Sequence, residues 1–197
     1  MNTHYKIQGK ALELANAFGF LFPAEVCLIQ VIARTLPEGA VCVNIGAGTG
    51  TGSLALVEMR PDVEAYTVDI SAGGPFGGLE NERNAFKGAG ILPIPTQILG
   101  DSKEVWKDWE KSADETGIDL TLDYLFIDGD HSTEGLNGDM DGWLPFVKPG
   151  GYVLIHDYES VNWHDITGIV DARMKPPKWK KIFWVDTLIV FQRTGAK

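Results

Sequence analysis

Two short stretches of the chain carry side chains that could do acid–base or metal chemistry: Phe126-Ile127-Asp128-Gly129-Asp130-His131-Ser132 and His156-Asp157. Asp128, Asp157 and His156 offer hard oxygen ligands and an imidazole, a set suited to a divalent ion such as Mg2+. An ion held there would lower the pKa of a coordinated hydroxyl. His131, a group whose unperturbed pKa is roughly 6.5, follows Asp128 on the same turn and could take the released proton as a general base. The plainer alternative is that both histidines only brace neighbouring loops through hydrogen bonds.

The elements that must position these groups are apolar runs, each ending in a carboxylate or an amide. Val41-Cys42-Val43-Asn44, Ala65-Tyr66-Thr67-Val68-Asp69, Thr96 to Asp101, Leu122 to Asp128 and Tyr152 to Asp157 read as parallel strands, and ligands bind beyond the carboxyl ends of such strands. Asp and Asn favour turns in any protein. That preference explains one such end well and five together poorly.

The first strand runs into Gly46-Ala47-Gly48-Thr49-Gly50, after which Ser53-Leu54-Ala55-Leu56 continues as a helix. Glycines at this spacing permit positive φ angles and let backbone approach a ligand, while the helix presents free amide N–H groups. Asp69 follows Gly50 by 19 residues, where a β-α-β unit would bring its carboxylate level with the turn to accept hydrogen bonds from ribose hydroxyls. A glycine string alone more often only reverses the chain. The acid in register with it makes a nucleotide-type site the better reading.

Around this frame, an amphipathic pattern covers 5–17 and a stronger helix covers Ala24 to Leu36, with Phe18-Gly19-Phe20-Leu21-Phe22-Pro23 between them. Those aromatics either pack on the first helix or fold over a ligand. Ser71 to Gly78 reads as a glycine-rich loop at the ligand edge. Helices are expected over 80–88, 102–113, 133–147 and 162–173, with Lys148-Pro149-Gly150-Gly151 as a stop. Lys181 to Val185 and Leu188 to Gln192 form a hairpin around Asp186-Thr187. The result is an α/β sheet with one antiparallel edge. A single domain is expected, residues 1–36 forming a helical cap and 37–197 the core.

At 197 residues the chain can bury a sizeable core without staples, and Cys27 and Cys42 lie in apolar runs rather than at metal-ligand spacing. These thiols, the absence of a signal-like N-terminus and the absence of a membrane-length apolar run lead to a cytoplasmic expectation. The formal net charge of −10 argues against nucleic acid as a partner. Lys175, Lys178, Lys180 and Lys181 around Trp179 read as a solvated lead-in to a strand, with anion binding as the alternative.

The glycine motif, Asp69, Gly100-Asp101-Ser102, Asp128-Gly129-Asp130-His131, Trp143-Leu144-Pro145, Lys148-Pro149-Gly150-Gly151 and His156-Asp157-Tyr158 together resemble class I S-adenosylmethionine-dependent methyltransferases. Within that class the chain is similar to small stand-alone enzymes related to cephalosporin- and macrolide-pathway O-methyltransferases. The resemblance implies a Rossmann-like, doubly wound, seven-stranded sheet, mostly parallel, with one antiparallel strand from the C-terminal hairpin. It implies that Gly46, Gly48 and Gly50 line the methionine part of S-adenosyl-L-methionine, that Asp69 binds ribose, that Asp101 and Ser102 lie near adenine, and that Asn44, Ala47 and Ile70 also belong to the cofactor-binding set. Asp128 is implied beside the cofactor too. Asp128 and His131 would be catalytic, and Asp128, His156 and Asp157 would hold a divalent cation where one is used. Asn44 and His156 both stand where relatives carry an acid.

The implied reaction is O-methylation of a hydroxyl on a small sugar or phenol-like acceptor, with metal assistance as an option and a homo-oligomer left open. Neither nucleic acid nor membrane is expected as a partner. Two other classes compete: a catalytically silent S-adenosylmethionine-binding module, and an NAD-type oxidoreductase. The latter is disfavoured because the glycines lack Gly-x-Gly-x-x-Gly spacing. Methylation of a nucleobase amine is disfavoured by the lack of an Asn/Asp-Pro-Pro-aromatic motif after the fourth strand.

Overall fold

The computed structural model describes residues 9–18, 20–75, 77–116 and 119–195. Residues 5–8 of the first amphipathic pattern, the rest of the N-terminal octapeptide, Gly19 of the expected cap and Phe76 of the glycine-rich loop lie outside the described residues.

Seven strands form one sheet: β1 Val41–Ile45, β2 Glu64–Asp69, β3 Thr96–Leu99, β4 Leu122–Ile127, β5 Val147–Ile155, β6 Trp179–Val185 and β7 Leu188–Arg193. Their order is β3-β2-β1-β4-β5-β7-β6. The first five strands pair in parallel, and β7 runs antiparallel to both β5 and β6. This is the Rossmann-like sheet with an antiparallel C-terminal hairpin that the sequence led us to expect.

Helices α1 (Lys10–Phe18), α2 (Pro23–Ala33), α3 (Thr51–Met59) and α4 (Leu79–Ala89) contribute to one apolar layer, and α5 (Ser102–Thr116), α6 (Thr133–Trp143) and α7 (His164–Arg173) to another. The alternation of side chains along a strand divides β4 between them. Tyr124 and Phe126 join the first layer, whereas Leu125 and Ile127 join the second. Every residue of β4 is buried, as a central parallel strand requires.

Several boundaries differ from the sequence reading; β6, for one, begins at Trp179 rather than Lys181, so Lys180 and Lys181 of the basic run lie within the strand. The sixth helix stops at Trp143, a 3-10 turn spans Leu144–Phe146, and β5 already starts at Val147. The pairing then jumps from Leu122↔Val147 to Tyr124↔Tyr152, so Lys148-Pro149-Gly150-Gly151 is absorbed as an irregularity within β5 instead of ending a helix. Asn162 and Trp163 precede α7 rather than belonging to it.

The strand tips are tied together beyond the regular pairing. Gly46 N–H donates to Val68, Asp128 N–H to Ile45, His156 N–H to Ile127 and Gly100 N–H to Asp69, at 2.9–3.1 Å. These bonds place residues 46, 69, 100, 128 and 156 along one edge of the sheet. At Gly46 the φ of 90° and the approach of Asp128 leave no room for a side chain: a Cβ would lie 2.1 Å from the Asp128 carbonyl oxygen.

Candidate active site

Beyond the tip of β4 the chain must turn sharply into α6. Ser132 caps that helix, accepting from Gly135 N–H at 2.9 Å, and Asp130 Oδ1 accepts from Ser132 N–H at 2.9 Å. The turn is thereby fixed with Asp128 and His131 facing the edge. Asp157, just past β5, adopts a left-handed φ of 59°, a costly conformation for a residue with a Cβ. It brings the Asp157 carboxylate against His131.

His131 Nε2 lies 2.9 Å from Asp157 Oδ2 and 3.6 Å from Asp128 Oδ1. The two flanking carboxylates, Asp128 first and then Asp157, push the imidazole pKa up to about 9, against the opposing effect of burial. His156 has both nitrogens occupied: Nδ1 faces Asp128 at 3.1 Å and Asp157 at 3.4 Å, while Nε2 faces Glu25 Oε2 at 3.2 Å. A neutral imidazole donates from one nitrogen only, so carboxylates on both sides favour the imidazolium. Burial alone would lower the His156 pKa, but the charge and hydrogen bonds of Asp128, Asp157 and Glu25 prevail and push it up to about 12. The same pairings hold both aspartates below the usual carboxylate range, although burial pulls each of them upward.

Among the described residues, ligand atoms of Asp128, His131 and Asp157 come within 4.8 Å of one another, two carboxylates and an imidazole at the cavity wall. This donor set fits a divalent cation. It differs from the set read from the sequence, because His131 joins it while His156 is engaged on its far side by Glu25.

A cavity of about 990 Å³ lies over the sheet edge, walled by the glycine turn, the ends of β1 to β5 and the loop after β5. Gly46, Gly48, Asp69, Ile70, Asp101, Ser102, Asp128, His131, His156 and Asp157 line it. Gly48 has a φ of 50°, and a Cβ there would meet nothing within 4 Å, so bare backbone is open to a ligand. Asp69 accepts from Ala47 N–H at 2.7 Å and Ser71 N–H at 2.6 Å. A carboxylate has about four lone-pair sites, so capacity for hydroxyl donors remains.

Asn44, Ala47 and Gly50, also named from the sequence, are not among the cavity-lining residues. Asn44 Nδ2 donates to the Gly46 carbonyl at 2.7 Å, bracing the turn from behind, and its buried Oδ1 has no hydrogen-bond partner. Gly50 is pressed against α4, where a Cβ would fall 2.8 Å from Glu82 Cα. Sequence reasoning missed Glu25, which is fully buried and also accepts from Phe22 N–H, Thr187 N–H and Thr187 Oγ1 at 2.8 Å. It missed Trp163 too, whose ring stacks on His131 at a centroid distance of 4.8 Å and 13° between planes. Glu25 lies 131 positions from His156, and no local pattern announces such a contact.

The sheet order, the glycine turn and the acids at the strand tips define a class I S-adenosylmethionine-dependent methyltransferase fold. Residues 43–158 match the family described as a methyltransferase domain, and the chain belongs to that family. An uncharacterized protein of Acanthamoeba polyphaga mimivirus is 38% identical over 155 residues, covering 75% of this chain, and the match spans 65% of that protein's length. Among solved structures, a Staphylococcus aureus protein assigned as a caffeoyl-CoA O-methyltransferase superposes with a TM-score of 0.68 at 14% identity, covering 93% of this chain and 92% of the other. The MycE methyltransferase of mycinamycin biosynthesis, solved with Mg, S-adenosylhomocysteine and mycinamycin VI, gives 0.64 at 16% identity over 95% of this chain and 55% of its own. An rRNA methylase from Streptococcus thermophilus gives 0.62 at 12% identity, over 89% and 98% respectively. At these identities the structures share the fold.

Proposed function

We propose that the chain methylates a hydroxyl group on a small molecule, using S-adenosyl-L-methionine. The observation that carries this reading is the placement of His131, held by Asp157 and Asp128, in the same cavity as Gly48 and Asp69. A proton acceptor and a cofactor cradle at one wall are what alkylation of a hydroxyl needs. Gly46 and Gly48 would face the cofactor's amino-acid part, Asp69 and Ile70 its ribose, and Asp101 and Ser102 its adenine. Asn44, Ala47 and Gly50 would support that cradle by shaping the turn.

When bound, the cofactor supplies a sulfonium methyl that passes to an oxygen nucleophile as the thioether leaves. The protein's own part is alignment and proton removal. His131, in its neutral form, accepts the hydroxyl proton; Asp128 and Asp157 orient the ring. A second reading is favoured by the convergence of Asp128, His131 and Asp157, which would hold a divalent cation and let it acidify the hydroxyl directly. In that case His131 serves as ligand rather than base.

The test is release of S-adenosylhomocysteine by the full chain over a panel of phenols, sugars and amines. Turnover of hydroxyl acceptors with formation of a methyl ether is expected, and binding of the cofactor without turnover over the whole panel would point to a silent module. Excess chelator separates the two readings of the base. Unchanged turnover leaves His131 as the base, whereas loss that Mg2+ restores assigns the triad to an ion.

A further inference from the structure

The cavity has a polar floor and an apolar mouth. Phe20 and Phe22 reach it from the segment between α1 and α2, and Val161 and Trp163 from the loop between β5 and α7. Val161 is 79% exposed and Trp163 43%, and both phenylalanines are about half exposed. Exposed apolar side chains scattered over a surface mean little, but four around one opening mark a place where a ligand covers them.

The side of this wall that follows β5 is held by its own hydrogen bonds. Asp157 and Glu159 both take left-handed φ angles, 59° and 57°. The strain is held by Tyr158 N–H donating to Thr187 O at 2.9 Å, Glu159 N–H to Thr167 Oγ1 at 2.8 Å and Tyr158 Oη to Asp171 at 3.0 Å. A loop held by such bonds loses little freedom on binding. Trp163, at its end, lies nearly parallel to His131, so apolar ring surface adjoins the group that handles the hydroxyl.

Charge narrows the ligand further. Asp101, Asp130 and Glu159 line the same cavity, and Lys103, the one lysine among the described lining residues, lies 3.7 Å from Asp130 and 3.9 Å from Asp101. The two histidines face carboxylates as well. Among the described lining residues no cation is left over to hold a phosphate or a carboxylate of the acceptor, and a polyanionic appendage would meet acids.

We infer that the mouth is an acceptor subsite for an uncharged aromatic alcohol, a phenol without phosphate or coenzyme A. Phe20, Phe22, Val161 and Trp163 cover its ring, and His131 receives its hydroxyl proton as the O–CH3 bond forms and the S–CH3 bond breaks. The inference rests on the methyl-transfer reading above and chooses the phenol over the sugar as substrate class.

The test is calorimetry on the full chain saturated with S-adenosylhomocysteine, titrated in turn with methyl 4-hydroxybenzoate, 4-hydroxybenzoyl-coenzyme A and methyl α-glucopyranoside. The neutral phenol is expected to bind at least tenfold more tightly than either of the others. Trp163→Ala is expected to lower its affinity about tenfold, and Val161→Ser, at an exposed position that does not threaten folding, several-fold. S-adenosylhomocysteine affinity measured on the same samples reports whether the cofactor side is intact. Equal or tighter binding of the glycoside or the thioester, no heat from the phenol, or phenol affinity unchanged in both variants overturns the inference. Failure of S-adenosylhomocysteine itself to bind strikes instead at the methyl-transfer reading on which it rests.

Discussion

His131 can act as a base only when it is neutral, and its two carboxylate partners oppose that. With its pKa pushed up to about 9, the ring is largely an imidazolium at neutral pH, so the rate is expected to rise with pH and level off near 9. Replacing Asp157 by Asn removes one anion 2.9 Å away, which lowers the imidazole pKa and moves that limb toward acid while weakening the ring's orientation. His131→Gln is expected to lower the rate about 10²–10⁴-fold, the usual contribution of a positioned base. A pH–rate profile of the three proteins checks all of this, and a parent profile flat from pH 6 to 10 would remove His131 from the proton transfer. The same charges act on stability. A histidine whose folded pKa lies above its unfolded one stabilises fully below the unfolded value, roughly 6.5, and the benefit is lost as pH rises through about 9.

Elements meet at buried acids whose roles differ. Glu25 on α2 accepts from the turn between β6 and β7 and faces His156 at the end of β5, so one carboxylate joins three parts of the chain. Glu25→Gln keeps the shape but leaves the His156 charge short of a buried counter-ion, and such a loss costs about 3–5 kcal/mol. Urea unfolding is expected to show a lower midpoint at an unchanged slope, and adding His156→Asn is expected to restore part of the loss. Asp139 on α6 instead carries a penalty. It accepts from the Ser102 hydroxyl at the start of α5, its other oxygen has no partner, and burial foremost, with Asp101 and Asp130 adding, pushes its pKa up to about 6. The folded chain therefore holds a proton that the unfolded chain releases, and stability contributed by this group falls as pH rises from about 4 through 6. Asp139→Asn is expected to abolish that slope and to melt higher than the parent above pH 6.

At the scale of the whole molecule, what could be read from sequence is what local pattern encodes. Apolar runs, the glycine spacing around Gly48 and the carboxylates and amide ending the parallel strands are local, so the sheet class, the cavity-bearing strand edge and the Asp128–His131 turn could be named in advance. Glu25 meeting His156, Trp163 stacking on His131 and the register jump inside β5 arise from packing between distant segments, which no window of sequence contains. Net charge is a global property that sequence does give, and it bears on a choice the fold leaves open, since an rRNA methylase shares this architecture. With 27 acids against 17 lysines and arginines, the long-range field repels a polyanion. The basic run near β6 is small against that total: Lys178 and Lys181 lie over the rings of Trp179 and Trp184, at 5.8 Å and 6.0 Å. RNA affinity comes mainly from released counterions, and non-specific binders show dissociation constants of about 10⁻⁴–10⁻⁶ M at physiological salt. This chain is expected to bind more weakly than that range in a fluorescence anisotropy titration with labelled ribosomal RNA fragments. Binding within it, weakening steeply with added salt, would mean that the four lysines around Trp179 govern the local field and that the acceptor is to be sought among nucleic acids.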